Sequence, residues 1–258
     1  MICRRCYRLI LLFVIIAGVQ SCIKEEFTLP TRVQFLFELT PDPAIDFLEF
    51  NGGDILIRNI EFEGYRQTGD DYFFTHRFTP PLSVKISEFT GDSLTFDIPQ
   101  GIYQKIKVRV KMKGEQENTS ESGSETHGGK NHREESRDYP DDNPEPKDMA
   151  VMLSGSYHTL RGEKVPLVLV IDNESFEGDA VNSSGTGEIV LTRDKDYEGI
   201  FTFDPGYAFQ VISRKTLEDA ERYSWKGVPT ILISEETNDE IYELVLYRLQ
   251  KSFGLKII

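Results

Sequence analysis

From Val33 onward, apolar and polar residues alternate along the chain. Val33, Phe35, Phe37 and Leu39 occupy every second position, the spacing of a strand with one buried face. Pro41-Asp42-Pro43 ends that run. After the turn cluster Asn51-Gly52-Gly53-Asp54, a second strand is predicted over 55–65, and others over 72–78, 82–86 and 94–98. The clearest alternation follows Gln100-Gly101: Ile106, Val108, Val110 and Met112 share one face, and Lys105, Lys107, Arg109 and Lys111 the other. Strand patterns resume over 150–158 and 165–171. The latter is apolar throughout except for Pro166, as in a strand covered on both faces. Runs at 188–192 and 199–203 flank a polar turn. Short strands broken by Gly, Pro and Asp predict a mainly β fold, specifically an antiparallel β-sandwich.

The period changes near the C-terminus, where one or two helices are expected. Ser213 is placed to cap a short helix reaching Arg222. Thr237-Asn238-Asp239-Glu240 reads as a capping box. The helix it opens carries Ile241, Leu244, Val245 and Leu249 as its apolar stripe. Residues 255–258 form a last strand candidate.

Two stretches fall outside this pattern. Residues 113–147 hold ten acids, five bases and no aliphatic side chain, so they cannot bury enough apolar surface to offset their ordering entropy. The stretch predicts a disordered insertion in one domain over 33–258, or a linker between two. The other is residues 1–21: Arg4, Arg5 and Arg8 precede an apolar run from Leu9 to Val19, then Gln20, Ser21 and Cys22. That is the layout of a secretory signal peptide, and the apolar run falls short of the roughly 20 residues that cross a bilayer. Residues 22–32 then read as a tether.

Composition sharpens this picture in three ways. With 17 Phe and 11 Tyr, the chain is rich in side chains suited to a pleated surface. The formal net charge of −14 disfavours nucleic acid and anionic lipid as partners, because a surface this acidic repels phosphate. Cys3, Cys6 and Cys22 are the only cysteines, two in the leader and one where it ends, so the domain that follows has none left over for a disulfide or a thiolate metal site.

Val19-Gln20-Ser21-Cys22 resembles a bacterial lipobox, although Gln20 departs from the small residue usual there. The resemblance implies lipidation of Cys22 and a membrane partner held through that lipid. Lys24-Glu25-Glu26 looks like the signal that sends lipoproteins of Bacteroidota to the outer face of the outer membrane; solvation of the tether is the plainer reading. The stretches Phe96 to Tyr103, Leu153 to Tyr157 and Phe203 to Phe209 resemble Bacteroidota surface lipoproteins with a β-sandwich domain. Asp92-Ser93-Leu94 resembles the three-residue site at which such bacteria attach O-glycans, which would make Ser93 the acceptor.

Candidate chemistry is sparse. Asp194 to Gly199 opens like a calcium loop, but Pro205 stands where the twelfth-position Glu belongs, so a polar hairpin turn is the better reading. No metal and no cofactor is expected. Tyr207, Phe209, Tyr223 and Trp225 form a candidate ligand platform for sugar rings; burial in a core is the ordinary fate of such residues. Trp225, beside Lys226-Gly227, is the one expected to be exposed. The row Lys105, Lys107, Arg109 and Lys111 could dock an acidic partner, but pairing with an acidic strand such as Glu61 and Glu63 is the simpler account. No G-x-S-x-G, H-E-x-x-H or phosphate loop occurs, and none of the four histidines stands near a nucleophile motif, so no enzyme is expected. Two readings stay open: a surface binding or adhesion module, with glycans as candidate ligands, and a structural or accessory subunit of a cell-envelope complex.

Overall fold

A computed structural model describes residues 29–40, 45–86, 93–112, 149–172 and 174–258. The candidate leader, the candidate lipidation site Cys22, the candidate export residues Lys24, Glu25 and Glu26, and residues 113–147 lie outside the described residues. No described helix is long and apolar enough to cross a membrane.

Among the described residues, thirteen strands form one connected ladder. They are β1 (Pro30–Leu39), β2 (Leu48–Arg66), β3 (Tyr72–Ile86), β4 (Ser93–Pro99), β5 (Gly101–Met112), β6 (Val151–His158), β7 (Lys164–Ile171), β8 (Ser175–Asn182), β9 (Ile189–Leu191), β10 (Tyr197–Phe203), β11 (Arg222–Trp225), β12 (Val228–Ile233) and β13 (Gly254–Ile257). Three helices stand among the last strands: α1 (Pro205–Phe209), α2 (Arg214–Glu218) and α3 (Asp239–Ser252). The order across the sheet is β11-β12-β7-β6-β2-β5-β8-β13-β10-β1-β4, with β3 beside β2 and β9 beside β5.

The sheet is mixed, which corrects the antiparallel expectation. β1 pairs parallel with β10, β7 with β12 and β8 with β13. Each of these pairs joins strands far apart in sequence, the long crossover that parallel pairing requires. The short hairpins visible in the local pattern give no hint of them.

Alternation decides which side chains form the core. In β2 the inward residues are Ile55 and Ile57, then Ile60 and Phe62. The change from odd to even positions coincides with a register shift between Ile57 and Asn59, where one extra residue keeps the apolar side chains inside. β5 turns Ile106, Val108, Val110 and Met112 inward as its sequence predicts. Apart from Lys164 and Pro166, every side chain of β7 is buried.

The sheet bends until edge strand β4 meets edge strand β3. β4 pairs only with β1, yet its Phe96 ring lies 5.3 Å from Phe74 of β3. A continuous run of ring contacts crosses the interior from Phe62 through Phe74, Phe96, Phe35, Phe201 and Phe253 to Phe176. Phe35 lies flat over Gly199, where an added Cβ would meet its ring at 2.5 Å. This close approach is what makes glycine necessary there.

Several boundaries differ from expectation. β1 begins at Pro30, so the last three tether residues are in the sheet; Thr31 is buried and its hydroxyl donates to the Thr192 carbonyl at 3.2 Å. α2 is capped by Ser213 but ends at Glu218, because Arg222 already opens β11. α3 starts where the capping box stands without using it: Thr237 Oγ1 donates to the Leu232 carbonyl, and Asn238 spends its amide on the Glu221 and Leu232 carbonyls. Its buried stripe is Ile241, Tyr242, Val245 and Leu249, with Leu244 facing solvent.

Strands on both sides of residues 113–148 share the same edge of β2. β5 pairs with residues 57–66 and β6 with residues 48–55. β1 and β10, which lie on either side of residues 113–148 in sequence, likewise pair with each other.

Candidate functional site

Side chains pointing away from the core on β3, β2, β5 and β8 form a broad polar face. Register places Glu63 between Phe73 of β3 and Lys107 of β5, and Glu61 between Thr75 and Arg109. On the far side of β5, Lys107 lies opposite Asp179 and Arg109 opposite Glu177. The columns therefore alternate in charge: acidic on β2, basic on β5, acidic on β8.

Most of these charges neutralise one another. Arg109 donates from Nη1 to Glu61 at 3.0 Å and from Nε to Glu177 at 2.8 Å. Lys111 pairs with Glu61, Lys107 with Glu177, and Lys105 with Asp179 at 3.0 Å. The hydrogen bond from Lys111, ahead of the nearby positive charge, holds the Glu61 carboxyl below its ordinary value, and Lys107 does the same for Glu177. The same contacts raise Lys107 and Arg109. The simpler account of the basic row is the observed one for Glu61, and β8 supplies a second acidic column that the sequence pattern did not reveal.

At the margin of this ladder stands an aromatic pair. Tyr65 and Phe73 are exposed, Phe73 by 54%, and their rings meet edge to face at 5.5 Å. The Tyr65 hydroxyl donates to Glu63 at 3.1 Å, which raises the phenol above its ordinary value. A shallow depression of about 300 Å³ beside the pair is lined by Glu61, Glu63, Phe73 and Thr75, with Phe62 and Phe74 beneath. An aromatic face with carboxylate and hydroxyl groups at its edge can stack on an apolar ring face while accepting hydrogen bonds from its rim. Sequence reasoning missed this pair, although a signal was present. Neighbours in a strand point to opposite faces, so of Phe73 and Phe74 one had to face outward.

The aromatics singled out from the sequence are not gathered into one platform. Phe209 is fully buried and packs on Phe50 at 5.2 Å. Trp225 is buried with Met149, Val168, Val170 and Leu232. It ends β11 just before a tight turn in which Lys226 and Gly227 both take positive φ, so the turn is exposed and the indole is folded under it. Tyr207 is exposed, with Arg248 stacked on its ring at 4.0 Å. Tyr223 is half-buried and donates to Glu221 at 2.8 Å. It lines a cavity of about 580 Å³ with Asp219, Glu221, Glu236, Asp239 and Glu240.

Ser93 opens β4 and is exposed, while Asp92 lies outside the described residues. Asp194 and Asp196 sit in an exposed turn, and among the described residues no three His, Cys, Asp or Glu side chains converge as a metal site would require. His76 packs against Phe78 and Phe96. His158 lies 3.1 Å from Glu49, which also accepts from Lys164 at 2.6 Å.

Compared with protein-family models, with curated proteins and with solved structures, the chain matches none.

Proposed function

We propose that this chain is an outer-membrane lipoprotein of the Bacteroidota type, anchored through Cys22 and displayed at the cell surface, and that it acts as a non-catalytic binding module for glycans. The observation that carries the binding reading is the exposed Tyr65–Phe73 pair beside the Glu61–Glu63 rim. Two rings held open to water on a rigid sheet are an unusual use of apolar surface, and they suit the flat C–H face of a sugar. The ladder on β5 and β8 supports the site by fixing β2 on its inner side. The contact of β4 with β3 supports reading the bent sheet as a sandwich, with residues 113–147 inserted into one domain. The lipoprotein reading rests on the leader and on the residues flanking Cys22.

Binding is tested by titrating the protein with a panel of neutral and acidic oligosaccharides by calorimetry. Tyr65→Ala and Phe73→Ala should each weaken binding by roughly tenfold or more, since one stacked aromatic contributes about 1 kcal/mol or more beyond its area. Binding that survives the double variant would move the site elsewhere. No binding to any member of the panel would favour the reading as an accessory subunit of an envelope complex. The anchor is tested separately: Cys22→Ala should abolish lipid labelling.

A further inference from the structure

The outward face of α3 also brings two large apolar side chains to solvent. Leu244 and Tyr247 are 42% and 60% exposed, while Ile241, Tyr242, Val245 and Leu249 face the core. Glu240, Leu244, Tyr247 and Lys251 are spaced by four, three and four residues, so they form a single stripe along the helix, the seam geometry by which two helices pair. Acid stands at the N-terminal end of this stripe and base at the C-terminal end. Among the described residues neither Glu240 nor Lys251 has an ion-pair partner. Four residues into the helix Glu240 meets Leu244 and Lys251 meets Tyr247, whose ring lies 5.7 Å from the Lys251 ammonium; three residues in, each meets a like charge (Glu243, Arg248), so the helix supplies neither with an opposite charge.

The pattern is complementary to itself. A two-fold axis through the midpoint between Leu244 and Tyr247 sets Leu244 against Tyr247 of a second copy, and Glu240 against Lys251 of that copy. All four contacts follow from one axis, and an antiparallel pairing also sets each helix dipole against its opposite. We propose that this chain self-associates through the outer face of α3, packed antiparallel on the same face of a second copy. Tyr207 of α1, held to Arg248 through its carbonyl at 2.8 and 2.9 Å, extends the exposed apolar surface on one flank. A lipid surface is a poorer occupant: Glu240 stands beside Asp219, Glu221, Glu236 and Asp239, and this acidic end repels an anionic headgroup layer. A helix of 14 residues is about 21 Å long. The contact is smaller than the roughly 800 Å² per partner of a standard interface, so the association is reversible and depends on concentration. It does not involve Tyr65 or Phe73, and its test is independent of sugar binding.

Sedimentation velocity of the full chain, kept dispersed in a non-ionic detergent, should show a dimer that grows with protein concentration. Glu240→Lys and Lys251→Glu, each made alone, replace two attractive contacts with two like-charge contacts and should weaken the dimer about tenfold. An equimolar mixture of the two single variants restores opposite charges at both contacts of the mixed dimer, and should associate as the unaltered protein does. The double variant should do the same by itself. Single variants that associate like the unaltered chain, or a mixture that fails to recover, would overturn the proposal. A chain that stays monomeric at every concentration would do so as well.

Discussion

Two charged surfaces of this molecule look alike in sequence and differ in structure. On the β2–β5–β8 face, every cation of β5 from Lys105 to Lys111 has a carboxylate within reach. On the outer face of α3, neither Glu240 nor Lys251 has an ion-pair partner among the described residues. The sheet places opposite charges on adjacent strands and satisfies them within the fold. The helix places them at opposite ends of one stripe, too far apart to meet. A run of charge therefore says little about docking until its partners are located, and the charges left over are the ones that can recruit another molecule.

The largest loss of stability is expected from beneath the paired face. Phe62 is buried directly under the Glu61–Glu63 edge and touches Phe74 and Tyr72. Phe62→Ala should cost about 3–5 kcal/mol, read as a fall in the denaturant midpoint, and should disturb the depression beside Tyr65 and Phe73. A smaller effect is expected from Arg109→Ala. It removes the one side chain that bridges both acidic columns, but Lys111 and Lys107 remain on Glu61 and Glu177, so the loss in a chemical melt should be about 1 kcal/mol.

Acid probes the same ladder without a mutation. Glu61 and Glu177 are held below the ordinary carboxylate value of 4.5. A carboxyl group depressed in this way adds stability that is fully present above its unfolded value and is lost as pH falls through its folded value. Stability should therefore be insensitive to these two groups at neutral pH and decline below pH 4.5, and Arg109→Ala should flatten that decline. The smallest effect belongs to the other surface. Leu244→Ala, at a solvent-facing helix position, should change the unfolding free energy of the monomer by less than about 0.5 kcal/mol, even though it removes a central contact of the proposed dimer.

What the sequence revealed depended on side-chain size and on the distance to a partner. β5 was legible because four large apolar residues alternate with four cations. β8 was not, since its inward positions are Phe176, Gly178 and Ala180, and two of the three are too small to mark a face. The β11–β12 hairpin was hidden because only Lys226 and Gly227 separate its strands, so Trp225 read as part of a loop. Three parallel pairings were invisible because nothing local encodes them. Of the site, Glu61 as partner of the basic row was readable from alternation. The Tyr65–Phe73 pair needed the register of β2 on β3, which brings residues eight apart in sequence together around a turn.

The shared edge of β2 has a practical consequence for anyone wishing to alter this molecule. Met112 closes β5 opposite Ile57, and Val151 opens β6 opposite Ile55. The chain thus leaves the sheet and re-enters it two residues further along the same strand, a gap of roughly 7 Å. An opening this narrow is the same for a short connection as for a long one, and each doubling of length adds only about 0.6 kcal/mol of closure entropy. The position is a natural port: a fluorescent domain, an epitope or a protease site could be spliced there while the hydrogen bonds on either side stay as they are.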